Sequence, residues 1–314
     1  MKSKTRKFLF AVGAFALVLG TAGFASGAAG RTRSYFAAYR ASYDHSPASI
    51  RPLFAVADFF LNPVFETLGP FEPVWVQVEP GIKMQLDPYD LVSRKILETG
   101  VWEPESIQAV AEHLSPSATF IDVGAHIGYY SLRAATMVGS NGHVISIEPN
   151  PQTVPKLRGN IEASNARMAS VWPVACAASE STLQLYAAPE SNTGESSLSK
   201  ENASQEGAAP IAYSVQARPL DAIVREAKLD RVDVIKIDVE GAEFEVLKGA
   251  AGTLDDFRPV LIVELVENQL KAMGSSIDEV TRFLSSHGYT ANRRVDHTNV
   301  EFVPAKTAAR VHVQ

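Results

Sequence analysis

The sequence predicts an α/β fold in which a mostly parallel β-sheet carries helices on both of its faces. Apolar runs alternate with helical patterns between residues 119 and 287, as in consecutive β-α-β units. Residues 119–137, TFIDVGAHIGYYSLRAATM, read as a strand, a tight glycine turn and a helix. Residues 232–250, VDVIKIDVEGAEFEVLKGA, repeat this order around Gly241. Together these three observations favour an open parallel sheet of the Rossmann-like kind.

The core strands are predicted from apolar runs that end at turn residues. They are Thr119–Val123, His143–Glu148, Val171–Ala175, Val234–Asp238 and Val260–Glu264. Helical patterns follow near Ile127–Val138, Val154–Ser164, Leu220–Ala227, Glu243–Asp255 and Ile277–His287. Strands that alternate with helices pair in parallel, because each helix returns the chain to the end of the sheet at which the previous strand began.

The flanking segments have weaker but readable patterns. Alternation over residues 74–86 predicts a hairpin with Pro80-Gly81 as its turn. One or two helices are predicted between this hairpin and the first core strand. Residues 189–210 are rich in Ser, Glu, Gly, Asn and Ala, which predicts a long surface loop. From residue 289 onward the sequence suits a terminal pair of strands.

The turn after the first core strand has the composition of a site for a ribose-containing cofactor. It contains Gly124 and Gly128, and the second core strand ends at Glu148. An acidic side chain about 20 residues beyond such a turn accepts hydrogen bonds from ribose hydroxyls. Dinucleotide sites need a middle glycine for the pyrophosphate, whereas His126 occupies that position here and Asp122 adds a negative charge. S-adenosylmethionine has a ribose, positive charges and no phosphate, so it fits this turn better than NAD.

Four segments carry a family resemblance. FIDVGAHIGYYSLRAA, VISIEPNP, KIDVEGAE and RPVLIVELVE together resemble the FkbM family of S-adenosylmethionine-dependent methyltransferases. The resemblance covers roughly residues 84–289, and KIDVEGAE is its most specific part. It implies a class I methyltransferase fold and methylation of hydroxyl groups on sugars or polyketide-type natural products. His126 departs from the family, which more often has Asn there.

The predicted cofactor residues lie at the ends of the first two core strands. Gly124 and Gly128 are expected to allow close backbone approach and tight helix packing, and Glu148 to hold the ribose hydroxyls. Asp122 is expected to help seat the methionine end of the cofactor. His126 is expected either to contact the cofactor or to face solvent from the turn.

Glu103 is a further cofactor candidate, in the segment TGVWEPE before the first core strand. By the resemblance this segment folds over the cofactor, where a carboxylate would face the ammonium group. Acidic side chains are also favoured at helix N-termini, so an exposed helix charge is the alternative. Tyr89 and Asp90 carry the same two interpretations.

The predicted catalytic residues are Asp238, Glu240 and Lys236, at the end of the fourth core strand. Methyl transfer requires an aligned acceptor and removal of one hydroxyl proton, which a carboxylate can orient or accept. Lys236 and Asp238 point to the same side of an extended strand and can form an ion pair. Asp238 and Glu264 with Glu240 or Glu267 also have the oxygen ligands that Mg²⁺ prefers, but this spacing is weak and no metal ligand is assigned.

Composition excludes several classes of protein. The chain has 314 residues, a hydrophobic content of 46% and a formal net charge of −6. Nucleic acid is an unsuitable substrate, because no basic face is available to neutralise phosphates. Cys176 is the only cysteine, which rules out an intramolecular disulfide and a cysteine-based zinc site. Its apolar surroundings predict a buried structural thiol.

The N-terminus predicts membrane targeting of one of two kinds. Four basic residues within the first seven positions precede an uncharged run over residues 8–29, which is long enough to span a bilayer as a helix. Small residues in its second half resemble a signal-peptide cleavage region. One hypothesis is an uncleaved anchor with a cytoplasmic catalytic domain, where S-adenosylmethionine is made; the alternative is export after cleavage.

The chain is therefore divided into three parts. Residues 1–30 are the hydrophobic anchor or signal, residues 31–83 a linker and N-terminal extension, and residues 84–314 the methyltransferase domain. The predicted function is methylation of a hydroxyl on a glycan, glycolipid or secondary metabolite. The alternatives are an NAD-dependent oxidoreductase and a non-catalytic, membrane-tethered protein that reuses the fold.

Overall fold

The computed structural model describes residues 30, 32, 35–37, 39–40, 71–188, 190–204 and 210–305. The chain divides into two compact units, Met1–Trp102 and Glu103–Gln314. Residues 84–102, assigned from the sequence to the methyltransferase domain, belong to the first unit. The predicted hydrophobic segment at residues 8–29 lies outside the described residues. Among the residues that are described, no helix is both long and apolar enough to cross a membrane.

Between residues 71 and 102, the first unit contains the predicted hairpin and one helix. Strands β1 (Val74–Glu79) and β2 (Ile82–Leu86) pair antiparallel, and helix α1 (Leu91–Thr99) follows. The turn uses Gly81 at φ 84°, a left-handed conformation that favours glycine. Asp90 caps α1, because its carboxylate accepts a hydrogen bond of 2.9 Å from the backbone N–H of Ser93.

The second unit is built on a seven-stranded sheet with the order β11-β12-β10-β9-β3-β4-β5. Its strands are β3 (Thr119–Val123), β4 (His143–Ile147), β5 (Ala169–Trp172), β9 (Val234–Ile237), β10 (Val260–Glu264), β11 (Tyr289–Arg294) and β12 (Asn299–Pro304). The five strands from β10 to β5 are parallel, whereas β12 and β11 complete one edge in antiparallel pairing. The predicted mostly parallel α/β sheet and its terminal strand pair are confirmed.

Helices connect these strands in the predicted order. They are α2 (Pro104–His113), α3 (Tyr129–Val138), α4 (Val154–Ala163), α5 (Leu220–Glu226), α6 (Glu243–Lys248), α7 (Ala251–Phe257), α8 (Glu267–Ala272) and α9 (Ile277–Ser286). The prediction of a single helix over residues 243–255 is wrong, since two helices, α6 and α7, lie there. Asp221 causes the break, because its carboxylate accepts hydrogen bonds from the backbone N–H groups of Gly252 and Thr253 and so caps α7.

The direction of the crossovers changes at β3. The chain runs from β3 to β4 and β5 toward one edge, and later from β9 to β10 toward the other. Because β-α-β crossovers are right-handed, opposite directions place the connecting helices on opposite faces of the sheet. A crevice opens beyond the carboxyl ends of adjacent strands at such a reversal. The ends of β3 and β9 therefore mark the expected position of a site.

A second, three-stranded sheet flanks the predicted surface loop. Strand β7 (Ser181–Ala187) pairs antiparallel with β8 (Ile211–Arg218), and the short β6 (Ala175–Cys176) pairs parallel with β8. The predicted loop at residues 189–210 lies between β7 and β8, and these two strands were not predicted. Between them, residues 190–195 and 202–204 form short 3-10 turns.

Cys176 lies in the interior, as predicted. The residue is 4% exposed, and burial raises the pKa of its thiol to about 12. A thiol held neutral in apolar surroundings is not reactive, so Cys176 has a structural role.

Candidate active site

The glycine turn after β3 is wedged between β4 and β9. Gly124 has φ 88°, and a Cβ at this position would lie 1.8 Å from the backbone oxygen of Asp238. The backbone N–H groups of Gly124 and Ala125 both donate to the carbonyl of Ile147, at 3.0 and 2.9 Å. No larger residue fits here unless the backbone moves, so the turn is tied to the ends of both neighbouring strands.

Glu148 lies directly after β4 and faces this turn. Its carboxylate accepts hydrogen bonds from the backbone N–H groups of His126, at 2.9 Å, and Asn150, at 2.8 Å. Burial raises the pKa of Glu148 to about 7, although these two backbone hydrogen bonds lower it. The structure thus brings together the turn and the acidic residue that the sequence predicts for a ribose.

His126 connects the turn to a distant segment. Its imidazole Nε2 lies 2.7 Å from the hydroxyl oxygen of Thr193, in the stretch between β7 and β8. The His126 ring therefore packs against residues 190–195, and this contact differs from the expectation that the ring faces solvent. A cofactor contact through His126 stays a prediction.

Gly128 begins α3 and permits close packing against α4. It has φ 91°, and a Cβ would lie 2.6 Å from a methyl carbon of Leu157. Nearby, the side-chain amide of Asn160 donates to the carbonyl of Ile127 at 2.9 Å. Gly128 thus lets α3 pack closely against α4, and its part in cofactor binding stays a prediction.

Asp122 lies beneath the turn rather than on its surface. It is 1% exposed and accepts a hydrogen bond of 2.6 Å from Ser131, whose hydroxyl accepts one of 2.7 Å from Ser146. Burial raises the pKa of Asp122 to about 6, against the opposing effects of Ser131 and the charge of Lys236. This series of hydrogen bonds ties β3, α3 and β4 together. The contact of Asp122 with the methionine end of a cofactor stays a prediction.

Lys236 and Asp238 form the predicted ion pair at the end of β9. The Lys236 ammonium lies 2.6 Å from a carboxylate oxygen of Asp238 and 4.5 Å from the centre of the Tyr130 ring. Lys236 is 2% exposed. Burial alone would raise the pKa of Asp238, but the Lys236 charge holds it below its usual range. Asp238 is therefore ionised at neutral pH.

Glu103 joins this pair through Tyr130. The Tyr130 hydroxyl donates a hydrogen bond of 2.7 Å to the Glu103 carboxylate. Burial raises the pKa of Glu103, while the Lys236 charge opposes the rise. Glu103 does precede a helix, but it is half-buried and bonded to Tyr130, so the exposed-charge interpretation is wrong. A contact with the cofactor ammonium stays a prediction.

Three carboxylates converge at the ends of β9 and β10. One oxygen each from Asp238, Glu240 and Glu264 lies within 4.8 Å of the others. Glu240 has φ 54° and accepts a hydrogen bond from the side-chain amide of Gln269. Burial, reinforced by the negative charge of Asp238, raises the pKa of Glu240 and of Glu264 well above their ordinary values.

Glu267, the alternative member of this cluster in the sequence analysis, serves the helices instead. Its carboxylate accepts a hydrogen bond of 3.0 Å from the backbone N–H of Ile277 and lies 3.1 Å from the ammonium of Lys271. Glu240 is consequently the third acid beside Asp238 and Glu264. This choice depends on the turn after β9, where Gly241 at φ 105° turns the chain.

Glu243 is a site residue that the sequence analysis missed. One of its oxygens accepts hydrogen bonds of 3.1 Å from the backbone N–H groups of both Val239 and Gly241. It is 1% exposed, and burial raises its pKa to about 7. The signal was available, because a glutamate that opens a helix two residues after a glycine can cap the preceding turn.

The stretch between β7 and β8 also contacts the site. The Ser197 hydroxyl donates to the backbone carbonyl of Glu240 at 2.7 Å. The Asn202 amide donates to the same carbonyl at 2.8 Å and to that of Gln269 at 3.2 Å. These polar side chains hold residues 190–204 against the acidic turn.

The arrangement has two chemically different halves. The ends of β3 and β4 present a glycine turn and a ribose-type carboxylate, whereas the ends of β9 and β10 present clustered acids and one lysine. Asp238 borders both halves, since its backbone oxygen touches Gly124 and its side chain belongs to the acidic cluster. A group transferred from one half would arrive beside oxygen atoms that can hold a hydroxyl.

The chain is similar to several known proteins. The model of a family described as the methyltransferase FkbM domain matches residues 122–291. Hexuronic acid methyltransferase AglP of Haloferax volcanii is 26% identical over 162 residues, which cover 51% of this chain and 61% of AglP. Methyltransferase sdnD of Sordaria araneosa is 32% identical over 161 residues, covering 43% of this chain and 61% of sdnD.

Two further matches differ in extent. The antimetabolite synthetase AmbE of Pseudomonas aeruginosa is 27% identical over 220 residues, covering 58% of this chain but 10% of AmbE. A crystal structure of methyltransferase FkbM from Methylobacillus flagellatus KT is 17% identical with a TM-score of 0.41, covering 67% of this chain and 60% of that one. The chain thus spans less than two thirds of the length of these curated relatives.

Proposed function

Because the chain belongs to the FkbM family of methyltransferases, we propose that it moves the methyl group of S-adenosyl-L-methionine onto a hydroxyl group. The acceptor is a glycan, a glycolipid or a secondary metabolite. The observation that carries this proposal is the placement of Asp238 between the glycine turn and the acidic cluster. It puts a hydroxyl-binding group next to the predicted cofactor site.

The residues at the ends of β3 and β4 fit S-adenosyl-L-methionine. A carboxylate offers about four acceptor positions, and Glu148 uses two of them for backbone N–H groups. Two positions therefore remain for ribose hydroxyls. When bound, the cofactor supplies a methyl group activated by a positively charged sulfur. Glu103 and Asp122 are proposed to add negative charge toward its methionine end, and His126 to contact it from the turn.

Cofactor affinity is expected to fall as the pH falls through 7. The pKa of Glu148 is raised to about 7 by burial, with Asp122 and Asp238 as the nearby charges that raise it further. Ribose hydroxyls donate to the ionised carboxylate, so protonation removes their acceptor. The dissociation constant of S-adenosylhomocysteine should rise about tenfold between pH 8 and pH 6. Calorimetric titrations at pH 6, 7 and 8 measure this change.

Glu148→Gln is the matched control for this titration. The amide keeps the shape of the side chain but does not ionise, so the variant should bind weakly and lose most of the pH dependence over the same range. An affinity of the unchanged protein that is flat between pH 8 and pH 6 would remove Glu148 from ribose binding.

The acidic half is proposed to position and deprotonate the acceptor. Asp238 orients the acceptor hydroxyl and takes its proton as the new oxygen–carbon bond forms and the carbon–sulfur bond breaks. Lys236 keeps Asp238 ionised and fixes one of its oxygens. Glu240 is proposed to hold a neighbouring hydroxyl of the acceptor. Positioning of this kind is the main requirement of an in-line displacement.

A sugar is the favoured acceptor among the proposed classes. Several carboxylates in one cluster can accept hydrogen bonds from adjacent hydroxyls, a pattern that sugars offer. The relative AglP is described as a hexuronic acid methyltransferase, which supports a sugar without identifying it. Residues 190–204 are proposed to form one wall of the acceptor pocket, because Ser197 and Asn202 hold this stretch at the Glu240 turn.

The proposed location follows from the N-terminus. We propose that residues 8–29 anchor the chain in a membrane, because basic residues precede an uncharged run of sufficient length. The catalytic domain is proposed to lie on the cytoplasmic side because S-adenosylmethionine is made in the cytosol, although the basic N-terminus by itself favours export of the domain. Export after signal cleavage is the alternative. N-terminal sequencing of the protein isolated from its host separates them, since an intact Met1 indicates the anchor.

Calorimetric titration of the full chain tests the proposed function. S-adenosylhomocysteine should bind at one site per chain, and NADH should not. Binding of NADH alone would establish the oxidoreductase alternative, and binding of neither would favour a non-catalytic protein. With cofactor binding established, a screen of sugars and glycolipids with labelled S-adenosylmethionine should yield a product that carries an O-methyl group.

A further inference from the structure

The acidic cluster at the ends of β9 and β10 brings three carboxyl groups together beside one lysine. Asp238, Glu240 and Glu264 each direct one oxygen to a region no more than 4.8 Å across. Lys236 pairs with Asp238 and supplies a single positive charge. Like charges this close repel strongly where water is scarce. The fold therefore provides a place that a cation would stabilise.

An orphaned oxygen in the same cluster points to a ligand. The Oε2 atom of Glu264 is buried and has no hydrogen-bond partner in the described part of the chain. Glu264 also contacts the Asp238 carboxyl group, and two carboxyl groups form a hydrogen bond only while one of them holds a proton. A buried carboxylate oxygen without a partner is costly, and its surroundings are further carboxylates rather than donors. A cation is the partner that such an oxygen lacks.

The backbone holds the third acid in place at some cost. Glu240 adopts φ 54°, a left-handed conformation that is unusual for a residue with a side chain. Its backbone carbonyl accepts hydrogen bonds from Ser197 and Asn202, and its carboxylate accepts one from Gln269. These contacts direct Glu240 toward the other two acids.

We propose that Asp238, Glu240 and Glu264 bind one hard divalent cation of the Mg²⁺, Mn²⁺ or Ca²⁺ class. All three ligands are carboxylate oxygens, which such ions prefer, whereas softer metals prefer thiolate or imidazole. Two oxygens bound to one ion with bonds of about 2.4 Å are at most about 4.8 Å apart, and the three oxygens of the cluster lie within that distance of one another. The remaining coordination positions stay open for water or for acceptor oxygens.

Cation binding does not depend on the proposed methyl transfer, but its role does rest on that function. A cation here would hold two neighbouring oxygens of a sugar-like acceptor and favour ionisation of the hydroxyl to be methylated. The released proton would pass to an acidic side chain of the cluster or to water, and the cation would be unchanged. The cluster would then select acceptors with adjacent oxygen ligands.

Electron paramagnetic resonance with Mn²⁺ tests the site in the full-length protein. After chelation and dialysis, the protein should remove one equivalent of free Mn²⁺ per chain, and Mg²⁺ or Ca²⁺ should displace it. Glu264→Gln should weaken Mn²⁺ binding at least tenfold, because it removes one ligand charge. Glu267→Gln is the matched control and should bind like the unchanged protein, since Glu267 pairs with Lys271 outside the cluster.

Thermal unfolding of the same samples shows whether the variants are folded. Mn²⁺ should raise the melting temperature of the unchanged protein but not that of Glu264→Gln. If Glu264→Gln does not unfold cooperatively, Glu240→Gln takes its place. The proposal is overturned if the unchanged protein leaves Mn²⁺ free at about 1 mM, the weak end of protein sites, or if neither variant weakens binding. S-adenosylhomocysteine titrated into these samples tests the methyltransferase function separately.

Discussion

Replacement of Asp238 by Asn is expected to lower methyl transfer by about three orders of magnitude, within the range for loss of a proton-accepting group. The amide keeps the shape of the carboxylate, so Lys236 retains an oxygen partner at the position of its 2.6 Å contact. It cannot, however, take a proton from the acceptor hydroxyl. Cofactor binding should be nearly unchanged, because the proposed ribose ligand Glu148 lies at the end of β4.

Two measurements separate these effects. Initial rates with the acceptor from the sugar screen report turnover, and calorimetry with S-adenosylhomocysteine reports cofactor affinity. Glu267→Gln is an exposed acidic control close in sequence to the cluster and should leave both unchanged. If Asp238→Asn retains full turnover, Asp238 is not part of the mechanism. If it loses cofactor affinity as well, its role is structural.

Gly124→Ala is expected to destabilise the protein by more than about 4 kcal/mol, which is exceptional for one substitution. The new Cβ would lie 1.8 Å from the backbone oxygen of Asp238, and a side chain at φ 88° adds strain of its own. The backbone cannot yield freely, because the Gly124 N–H donates to the carbonyl of Ile147. S-adenosylhomocysteine binding should be lost with the turn.

Gly274→Ala is the matched control for this prediction. Gly274 also has a left-handed φ, 76°, but a Cβ there would meet nothing within 4 Å. Gly274→Ala should lower the free energy of unfolding by only about 1–2 kcal/mol, the cost of a left-handed backbone conformation for a residue with a side chain. Urea unfolding of both variants measures the difference. If both variants unfold at the same urea concentration, the close approach of Gly124 to the residue after β9 does not contribute to stability.

Much of the fold followed from local patterns, and the misjudged parts show where such patterns stop. Strand β3 and its glycine turn were predicted because an apolar run and two glycines determine their conformation within a few residues. The break between α6 and α7 was missed because its cause, Asp221, lies about 30 residues away. Strands β7 and β8 were missed because their exposed residues lack a strong apolar pattern.

The site shows the same limit of prediction from local sequence patterns. The sequence alone predicted the ion pair of Lys236 with Asp238, because residues two apart on a strand share a face. It did not predict that Tyr130 would hold Glu103, or that Ser197 and Asn202 would reach Glu240. Hydrogen bonds between residues so far apart leave no periodic trace in the chain.

By itself, then, the sequence determined the α/β class, the family and the strand ends at which the chemistry is placed. The reason is that periodicity, turn residues and acidic strand ends are local properties. Only the tertiary structure decided which acids meet. The order β10-β9-β3-β4 puts Glu264 beside Asp238 and puts Glu148 on the far side of Gly124. Strand order depends on long-range packing, and it converts separate carboxylates into a cofactor side and an acidic cluster.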